Sequence, residues 1–241
     1  MIYLKSLVLV LVFFSSLCTR HGTSGQTLEV SPILLKHSNS NVTLKWKGLS
    51  KPLQSDWIGV YNPADSGDGL YIGYFLLSED TEWVQGSGQW TLPLVNMREP
   101  YEFRLFQGHH TPIDSGKINE LCKQDTSHRL SISERVSFEN FNEPTQVHLS
   151  LSSKNQEMNV MFVTRDPIKS YVRYGRNNEK LDLLGEALSL TYQRSDMCDD
   201  PANSSRGWRE PGYIHTAAMK DLDSGQIYYY QVEFDVTKNA I

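Results

Sequence analysis

Short runs of alternating apolar and polar residues, separated by turn-forming residues, constrain the fold of this 241-residue chain more than any other feature. The first half has five such runs: Val42–Trp46, Trp57–Tyr61, Tyr71–Leu77, Gln89–Leu92 and Tyr101–Phe106. The second half has five more: Gln146–Leu151, Asn159–Thr164, Tyr171–Tyr174, Tyr213–Ala217 and Ile227–Val232. A period of two with many aromatic and β-branched residues indicates antiparallel strands. Only Leu181–Leu190 is a candidate for a short helix, so the sequence predicts an all-β fold.

A tyrosine lies at or next to the start of the last strand run of each half. Leu222, Gly225 and Tyr228 follow one another at intervals of three residues, a spacing that resembles a tyrosine corner. In such a corner the glycine permits the turn and the phenol hydroxyl bonds to backbone a few residues upstream. Tyr101 could do the same, less clearly, in the first half. We therefore expect two fibronectin type III-like or immunoglobulin-like β-sandwich domains in tandem.

The chain begins with one lysine, an apolar run of about a dozen residues and then small residues. This is the pattern of a signal peptide, and the run is shorter than the ~20 residues that span a bilayer. We predict a signal peptide over 1–25, a first sandwich over 26–120, a linker over 121–134 and a second sandwich over 135–241. A buried N-terminal strand is the alternative for the first segment. The expected product is secreted and extracellular, with no membrane partner once the leader is removed.

Two kinds of residue fit a secreted protein. Asn41 and Asn203 each begin an N-glycosylation sequon, and both are candidate glycosylation sites. Removal of the leader leaves two cysteines, Cys122 and Cys198, which are a possible disulfide in an oxidising compartment. Two separate cysteines, one buried and one pairing with another chain, are the alternative.

The charge balance excludes one class of partner. The chain has 23 Lys and Arg against 28 Asp and Glu, a formal net charge of −5, without basic clusters. Nucleic-acid binding needs a basic surface, so no nucleic-acid partner is expected.

The residues alone indicate little chemistry. No nucleophile elbow, phosphate-binding loop, dinucleotide-binding glycine pattern or zinc-binding motif occurs in the sequence. His109 and His110 could ligate a metal, but adjacent side chains in an extended segment point apart. Asp196, Asp199 and Asp200 could hold calcium or act as a general-acid pair, or could cap their own loop. The segment from Asp65 to Gly69, which contains Asp68, is interpreted as a turn, and a calcium-binding loop is the second interpretation because the later glutamate of an EF-hand is lacking.

Several longer strings resemble the N-terminal part of plant purple acid phosphatases, most closely the large, N-terminally extended subgroup. They are Val136–Leu149, Val172–Gly175, Met197–Asn203, Gly207–Tyr213 and Met219–Val232. Upstream, Ser55–Pro63 resembles the additional fibronectin-like module of those large members. The resemblance covers about residues 28–232.

The resemblance implies metal-dependent acid hydrolysis of phosphate monoesters, carried out by a C-terminal metallophosphoesterase domain. That domain holds iron together with zinc, manganese or a second iron, and none of its ligand motifs occurs in this sequence. We therefore expect a non-catalytic chain, truncated before that domain, with no catalytic or metal-binding residues and no cofactor. A free-standing extracellular binding module for carbohydrate or protein is one alternative. A phosphatase whose catalytic half lies beyond this sequence is the other.

Self-association is also expected from the resemblance. An N-terminal part without its catalytic domain exposes the surface that would pack there, and such interfaces cover about 600–1,500 Å². The run Ile227–Val232 continues its alternation to Thr237. If this strand lies at a sheet edge, its free backbone groups favour pairing and a possible homodimer.

Overall fold

The computed structural model describes residues 25–108, 129–205 and 207–234. In these residues the regular elements are fifteen strands and three single-turn 3₁₀ helices, at Leu77–Glu79, Trp83–Gln85 and Arg194–Asp196. The predicted all-β fold class is confirmed. No helix in the described ranges is long and apolar enough to cross a membrane.

The strands form two groups that are consecutive along the chain. The first unit consists of β1 (Thr27–Ser31), β2 (Leu34–Leu35), β3 (Ser40–Lys47), β4 (Trp57–Tyr61), β5 (Gly73–Leu76), β6 (Gly88–Leu94), β7 (Glu102–Phe106), β8 (Arg129–Ile132) and β9 (Ser137–Phe138). The second unit consists of β10 (Thr145–Leu151), β11 (Met158–Thr164), β12 (Ser170–Gly175), β13 (Leu183–Leu190), β14 (Tyr213–Met219) and β15 (Tyr229–Phe234). Each of the ten predicted strand runs coincides with or overlaps one of these strands.

The first unit packs two sheets face to face. One sheet has the order β1-β3-β6 and the other the order β5-β4-β7-β8, while β2 pairs in parallel with β9. Alternate residues of the facing strands enter one apolar core, which includes Leu44, Trp46, Ile58, Phe103 and Leu105. This is the arrangement that the period-two pattern predicts.

The second unit has its own apolar core between two sheets, and strand β13 takes part in both of them. Its strands follow the order β10-β11-β14-β13-β12-β15. Leu183–Glu186 of β13 pair with β12, whereas Ala187–Leu190 of the same strand pair with β14. Val160, Phe162, Val172 and Met219 lie in the core between these sheets.

The helix predicted over Leu181–Leu190 is wrong. Its leucines, alanine and glutamate are good helix formers, but the segment runs extended between two neighbouring strands. Its first half pairs with β12 and its second half with β14, and these long-range backbone hydrogen bonds override the local preference.

The structure also places the junction between the units later than the sequence predicted. β8 pairs with β7, and β9 pairs with β2. Val136 and Phe138, predicted to begin the second sandwich, are buried in the core of the first unit. Residues 129–138 therefore pack with the first unit, because their apolar side chains complete its core. Most of the predicted linker lies outside the described residues.

Both predicted tyrosine contacts are present. The hydroxyl of Tyr101 donates to the carbonyl oxygen of Val95 at 2.7 Å, and burial raises the pKa of this tyrosine. The hydroxyl of Tyr228 accepts from the backbone N–H of Asp223 at 3.1 Å, next to Gly225 with φ 72°. Each tyrosine thus fixes the loop that leads into its strand.

A buried ion network joins β7 to the loop over 62–70 that follows β4. Arg104 donates to Asp68 at 2.6 Å and to Glu102 at 2.8 Å, and its guanidinium lies 3.9 Å from the centre of the Tyr61 ring. It also donates to the carbonyl oxygens of Ala64 and Ser66. Burial opposes its charge, but the hydrogen bonds and charges of Glu102 and Asp68 outweigh that effect and raise its pKa. The loop over 62–70 is therefore fastened to the sheet.

A buried histidine joins the two sheets of the second unit. His215 is fully buried, stacks on Phe162, and bonds through Nε2 to Thr164 at 2.7 Å and through Nδ1 to Ser170 at 3.0 Å. Thr164 and Ser170 lie on β11 and β12, which belong to different sheets. Burial lowers the pKa of His215, so the folded state keeps this imidazole neutral.

Replacing Arg104 with methionine is expected to destabilise the chain strongly. Asp68 would keep Arg129 and Glu102 would keep Arg135 at 3.8 Å, but both would lose the buried guanidinium. Breaking a buried pair in this way typically costs about 3–5 kcal/mol of unfolding free energy. The matched control is Lys47→Met, because the Lys47–Glu29 pair is exposed and worth at most about 1 kcal/mol. Urea unfolding of both variants measures the difference. Equal, small losses would show that the network does not fasten the loop.

The stability of the chain is expected to fall as the pH drops through the range below about 6.5, partly because of His215. The folded pKa of His215 lies below the unfolded value, so the unfolded state binds the extra proton in that range and acidification favours unfolding. Urea unfolding from pH 7.5 to 5 should show a weaker pH dependence for His215→Gln than for the wild type. His148→Gln, at an exposed histidine, should keep the wild-type slope. Parallel slopes for wild type and His215→Gln would contradict the assignment.

Candidate functional site

In the described part of the chain, an open cleft of about 1350 Å³ lies between the two units. The first unit contributes Asn62 and Pro63 after β4, together with residues 97–99 after β6. The second unit contributes Arg165 and Asp166 after β11, most of the long loop over 191–212 between β13 and β14, and Tyr213 at the start of β14. Loops at facing ends of the two units therefore form its walls.

The first wall is a tightly anchored loop. Asn96 is buried, donates through its side chain to the carbonyl oxygen of Asn140 at 2.9 Å, and accepts from the backbone N–H of Arg98 at 3.1 Å. The side chain of Asn62 donates to the carbonyl oxygen of Glu99 at 2.7 Å. Tyr101 holds the start of the same loop through Val95. These contacts leave the backbone of residues 95–100 little freedom.

Arg98 is the central cation of this wall. Its backbone has φ 68°, and its side chain crosses to the second unit, where it packs on Gly212. A Cβ at Gly212 would lie 2.8 Å from Nε of Arg98, so only glycine leaves room for this crossing. The guanidinium is half-buried and forms no hydrogen bond or ion pair with the described residues. Desolvation by burial lowers its pKa, an effect that the nearby Tyr101 and Tyr192 only partly oppose.

The second wall combines aromatic rings with two more arginines. Tyr192 and Trp208 pack edge to face, with ring centres 5.8 Å apart. The indole N–H of Trp208 donates to Glu210 at 2.7 Å, which fixes the ring. Arg194 and Arg209 also line this side of the cleft. The loop is held at its base by the Thr191 hydroxyl, which donates to the carbonyl oxygen of Gly212 at 2.7 Å.

The connector over 139–144 fixes the two walls relative to one another. The side-chain amide of Asn142 donates to the carboxylate of Asp166 at 2.8 Å and accepts from the backbone N–H of Asp166 at 2.8 Å. Glu143 accepts from the backbone N–H of Ser38 at 2.7 Å in the first unit. Across the cleft, Glu99 and Arg165 form an exposed ion pair at 3.8 Å, which adds little stability by itself.

The cleft is lined by cationic, aromatic and acidic side chains. Its carboxylates are engaged: Glu99 with Arg165, Asp166 with Asn142, and Glu210 with Trp208. The lining contains serine hydroxyls but no histidine that could act as their base. Cationic and aromatic groups together can bind an anionic, ring-containing ligand.

The structure brings one predicted site residue to this cleft. Asn203 is exposed, lines the cleft, and donates to the carbonyl oxygen of Cys198 at 3.2 Å. Asn41 is also exposed but lies on β3 of the first unit. Cys198 is exposed and forms no disulfide within the described residues, and Cys122 lies outside them. The disulfide and both glycosylation sites stay predictions.

Two of the acidic candidates, Asp196 and Asp68, have structural partners. Asp196 accepts from the backbone N–H of Gln193 at 2.7 Å and so caps its own turn, while Asp68 belongs to the ion network of Arg104. His109 and His110 lie outside the described residues. Within the described ranges no group of three or more His, Cys, Asp or Glu side chains could hold a metal ion. The residues described therefore do not fit the iron-containing centre that the resemblance implies.

Sequence reasoning missed the cleft residues Arg98, Tyr192 and Trp208. Trp208 entered only as part of a string that resembles a family. A signal was available, because the segment between β13 and β14 is 22 residues long, over Thr191–Gly212, and most connections in compact domains are about 4–6 residues. Long loops of this kind are often functional.

The comparisons with known proteins agree on one family. Residues 144–239 match the model of the purple acid phosphatase N-terminal domain. The "Probable inactive purple acid phosphatase 9" of Arabidopsis thaliana is 39% identical over 228 residues, which are 93% of this chain and 35% of the relative. The "Probable inactive purple acid phosphatase 1" of the same plant is 30% identical, over 91% of this chain and 35% of the relative.

A solved structure supports the same relationship. The purple acid phosphatase PPD1 from yellow lupin (Lupinus luteus) seeds superposes with a TM-score of 0.72 and 26% identity, over 87% of this chain and 38% of that chain. The chain thus spans about a third of the length of the relatives it matches. It corresponds to the N-terminal part of the plant purple acid phosphatases, and its residues 144–239 carry the N-terminal domain of that family.

Proposed function

We propose that this chain is the N-terminal, non-catalytic part of a secreted purple acid phosphatase and hydrolyses no phosphate ester by itself. The match to an N-terminal domain supports this, as does coverage of about 35% of each Arabidopsis relative. Both relatives are named as probable inactive phosphatases, which agrees with a non-catalytic role. Metal-assisted phosphoryl transfer needs a ligand set that the sequence motifs do not supply.

The observation that carries the proposal is an apolar face on the second unit that the described residues leave partly exposed. Leu188 and Leu190 pair with Thr216 and Ile214, which alternate with the buried His215 and Ala217. The two leucines therefore project from the face of the sheet opposite to the core, where they are 80% and 58% exposed. We call this set, Leu188, Leu190 and Ile214 with Met161 and Val163 of β11, the outer face.

The role we assign to the outer face is support of a further domain. Contiguous apolar surface of this kind marks an interaction site in soluble proteins. The relatives carry about two thirds of their length beyond the matched part, and a catalytic metallophosphoesterase domain, with iron plus zinc, manganese or a second iron, is the partner we propose for this face. When that partner is absent, the outer face favours association with a second copy.

Secretion is part of the proposal. The predicted leader over 1–25 supports it, and the two predicted acceptors, Asn41 and Asn203, are both exposed as glycosylation requires. A free-standing extracellular module that binds carbohydrate or protein is the second candidate function. The cationic and aromatic cleft between the units favours that role, and it is compatible with the first.

The test is expression of the full chain from its own leader in plant cells. We expect a glycosidase-sensitive protein in the medium that hydrolyses p-nitrophenyl phosphate no faster than buffer, with or without added iron, zinc or manganese. An active purple acid phosphatase purified in the same way serves as the positive control. Chelator-sensitive hydrolysis by the chain would contradict the non-catalytic role, and retention inside the cell would contradict secretion.

A further inference from the structure

We propose that the cleft between the two units binds an oxyanion, a carboxylate or phosphate group, carried on a sugar, and that Arg98 is the residue that binds the oxyanion. This inference is independent of the proposed phosphatase relationship, since it rests on the side chains that form the cleft.

The first argument is the charge state of Arg98. A guanidinium is always charged in proteins, and a half-buried charge without a partner is costly. Arg98 has no ion pair or side-chain hydrogen bond with the described residues, although its loop is fixed by Asn62, Asn96 and Tyr101. The Arg98 side chain nevertheless crosses the cleft and packs on Gly212. An anionic ligand would supply the missing partner.

The second argument is that the neighbouring carboxylates do not supply that partner. Glu99 faces Arg165 at 3.8 Å, and Asp166 is held by Asn142 at 2.8 Å. Glu210 accepts the indole N–H of Trp208. With Arg194 and Arg209 on the opposite wall, the cleft is lined by four arginines against three acids, in a chain whose net charge is −5. The positive charge is therefore local to the cleft.

The third argument concerns the rest of the ligand. The Tyr192–Trp208 pair offers aromatic faces next to the arginines, and Trp208 is fixed by its hydrogen bond to Glu210. Aromatic rings with a polar edge suit a sugar, which has apolar faces and a hydroxyl rim. The volume of about 1350 Å³ exceeds the range of about 300–1,000 Å³ for pockets of small ligands, so an extended ligand fits better than a free ion.

Titration calorimetry of the full chain at low salt tests the proposal with three probes. Trigalacturonate carries carboxylates on sugar rings, glucose 6-phosphate carries a phosphate on one, and maltotriose is a neutral sugar. We expect at least one acidic probe to bind, at least tenfold more tightly than maltotriose, and to bind more weakly as sodium chloride is raised. Which acidic probe binds identifies the source of the oxyanion.

Arg98→Gln is expected to weaken that binding by about tenfold or more, the usual effect of losing a hydrogen bond to a charged group. Arg173→Gln is the matched control, because Arg173 lies on β12 outside the cleft and pairs with Glu233. Circular dichroism checks that Arg98→Gln folds. If it does not, Arg194→Gln removes an exposed charge from the opposite wall and should weaken binding without unfolding the chain.

Two results would overturn the proposal. One is that neither acidic probe binds better than maltotriose, which would also be the outcome if the cleft takes an acidic protein segment. The other is that folded Arg98→Gln binds the acidic probe as tightly as Arg173→Gln does.

Discussion

The hydrogen bonds and ion pairs of the buried Arg104 guanidinium are the interactions on which the first unit and the cleft both depend. It binds Asp68 and Glu102 and the carbonyl groups of Ala64 and Ser66, and so holds the loop over 62–70 on the sheet. Asn62, at the start of that loop, in turn holds the backbone of Glu99, next to Arg98. The buried Arg104 thus helps to position the half-buried Arg98 at the cleft, through the loop over 62–70 and Asn62. The difference between them is that Arg104 has two carboxylate partners within the fold, whereas Arg98 forms no ion pair with the described residues.

The alternation of the sequence predicts most of the fold. A period of two places residues such as Ile58, Val60, Phe103 and Leu105 on one side of their strands, and all four are in the core of the first unit. The tyrosine contacts were also predictable, because Gly225 and Tyr228 have a fixed local spacing. These features are local, and local geometry is what a sequence pattern encodes.

The failures of prediction are all consequences of long-range contacts. Residues 183–190 have helix-forming side chains, but their strand conformation is set by β12 and β14. Val136 and Phe138 follow a polar stretch, and only the core of the first unit shows to which unit they belong. Arg98 and Trp208 are 110 positions apart, so no pattern along the chain brings them to one cleft. A single arginine or tryptophan does not by itself indicate a binding site, and the convergence of these residues is visible only in three dimensions.

The central claim is that the outer face of the second unit is an interface, and the state of association in solution tests it most directly. Light scattering of the full chain across micromolar concentrations should show dimers or larger soluble species, and Leu188→Ser combined with Leu190→Ser should shift them toward monomer. Val84→Ser, at an exposed valine of the first unit, should leave the association unchanged. A wild-type chain that stays monomeric throughout this range would contradict the claim.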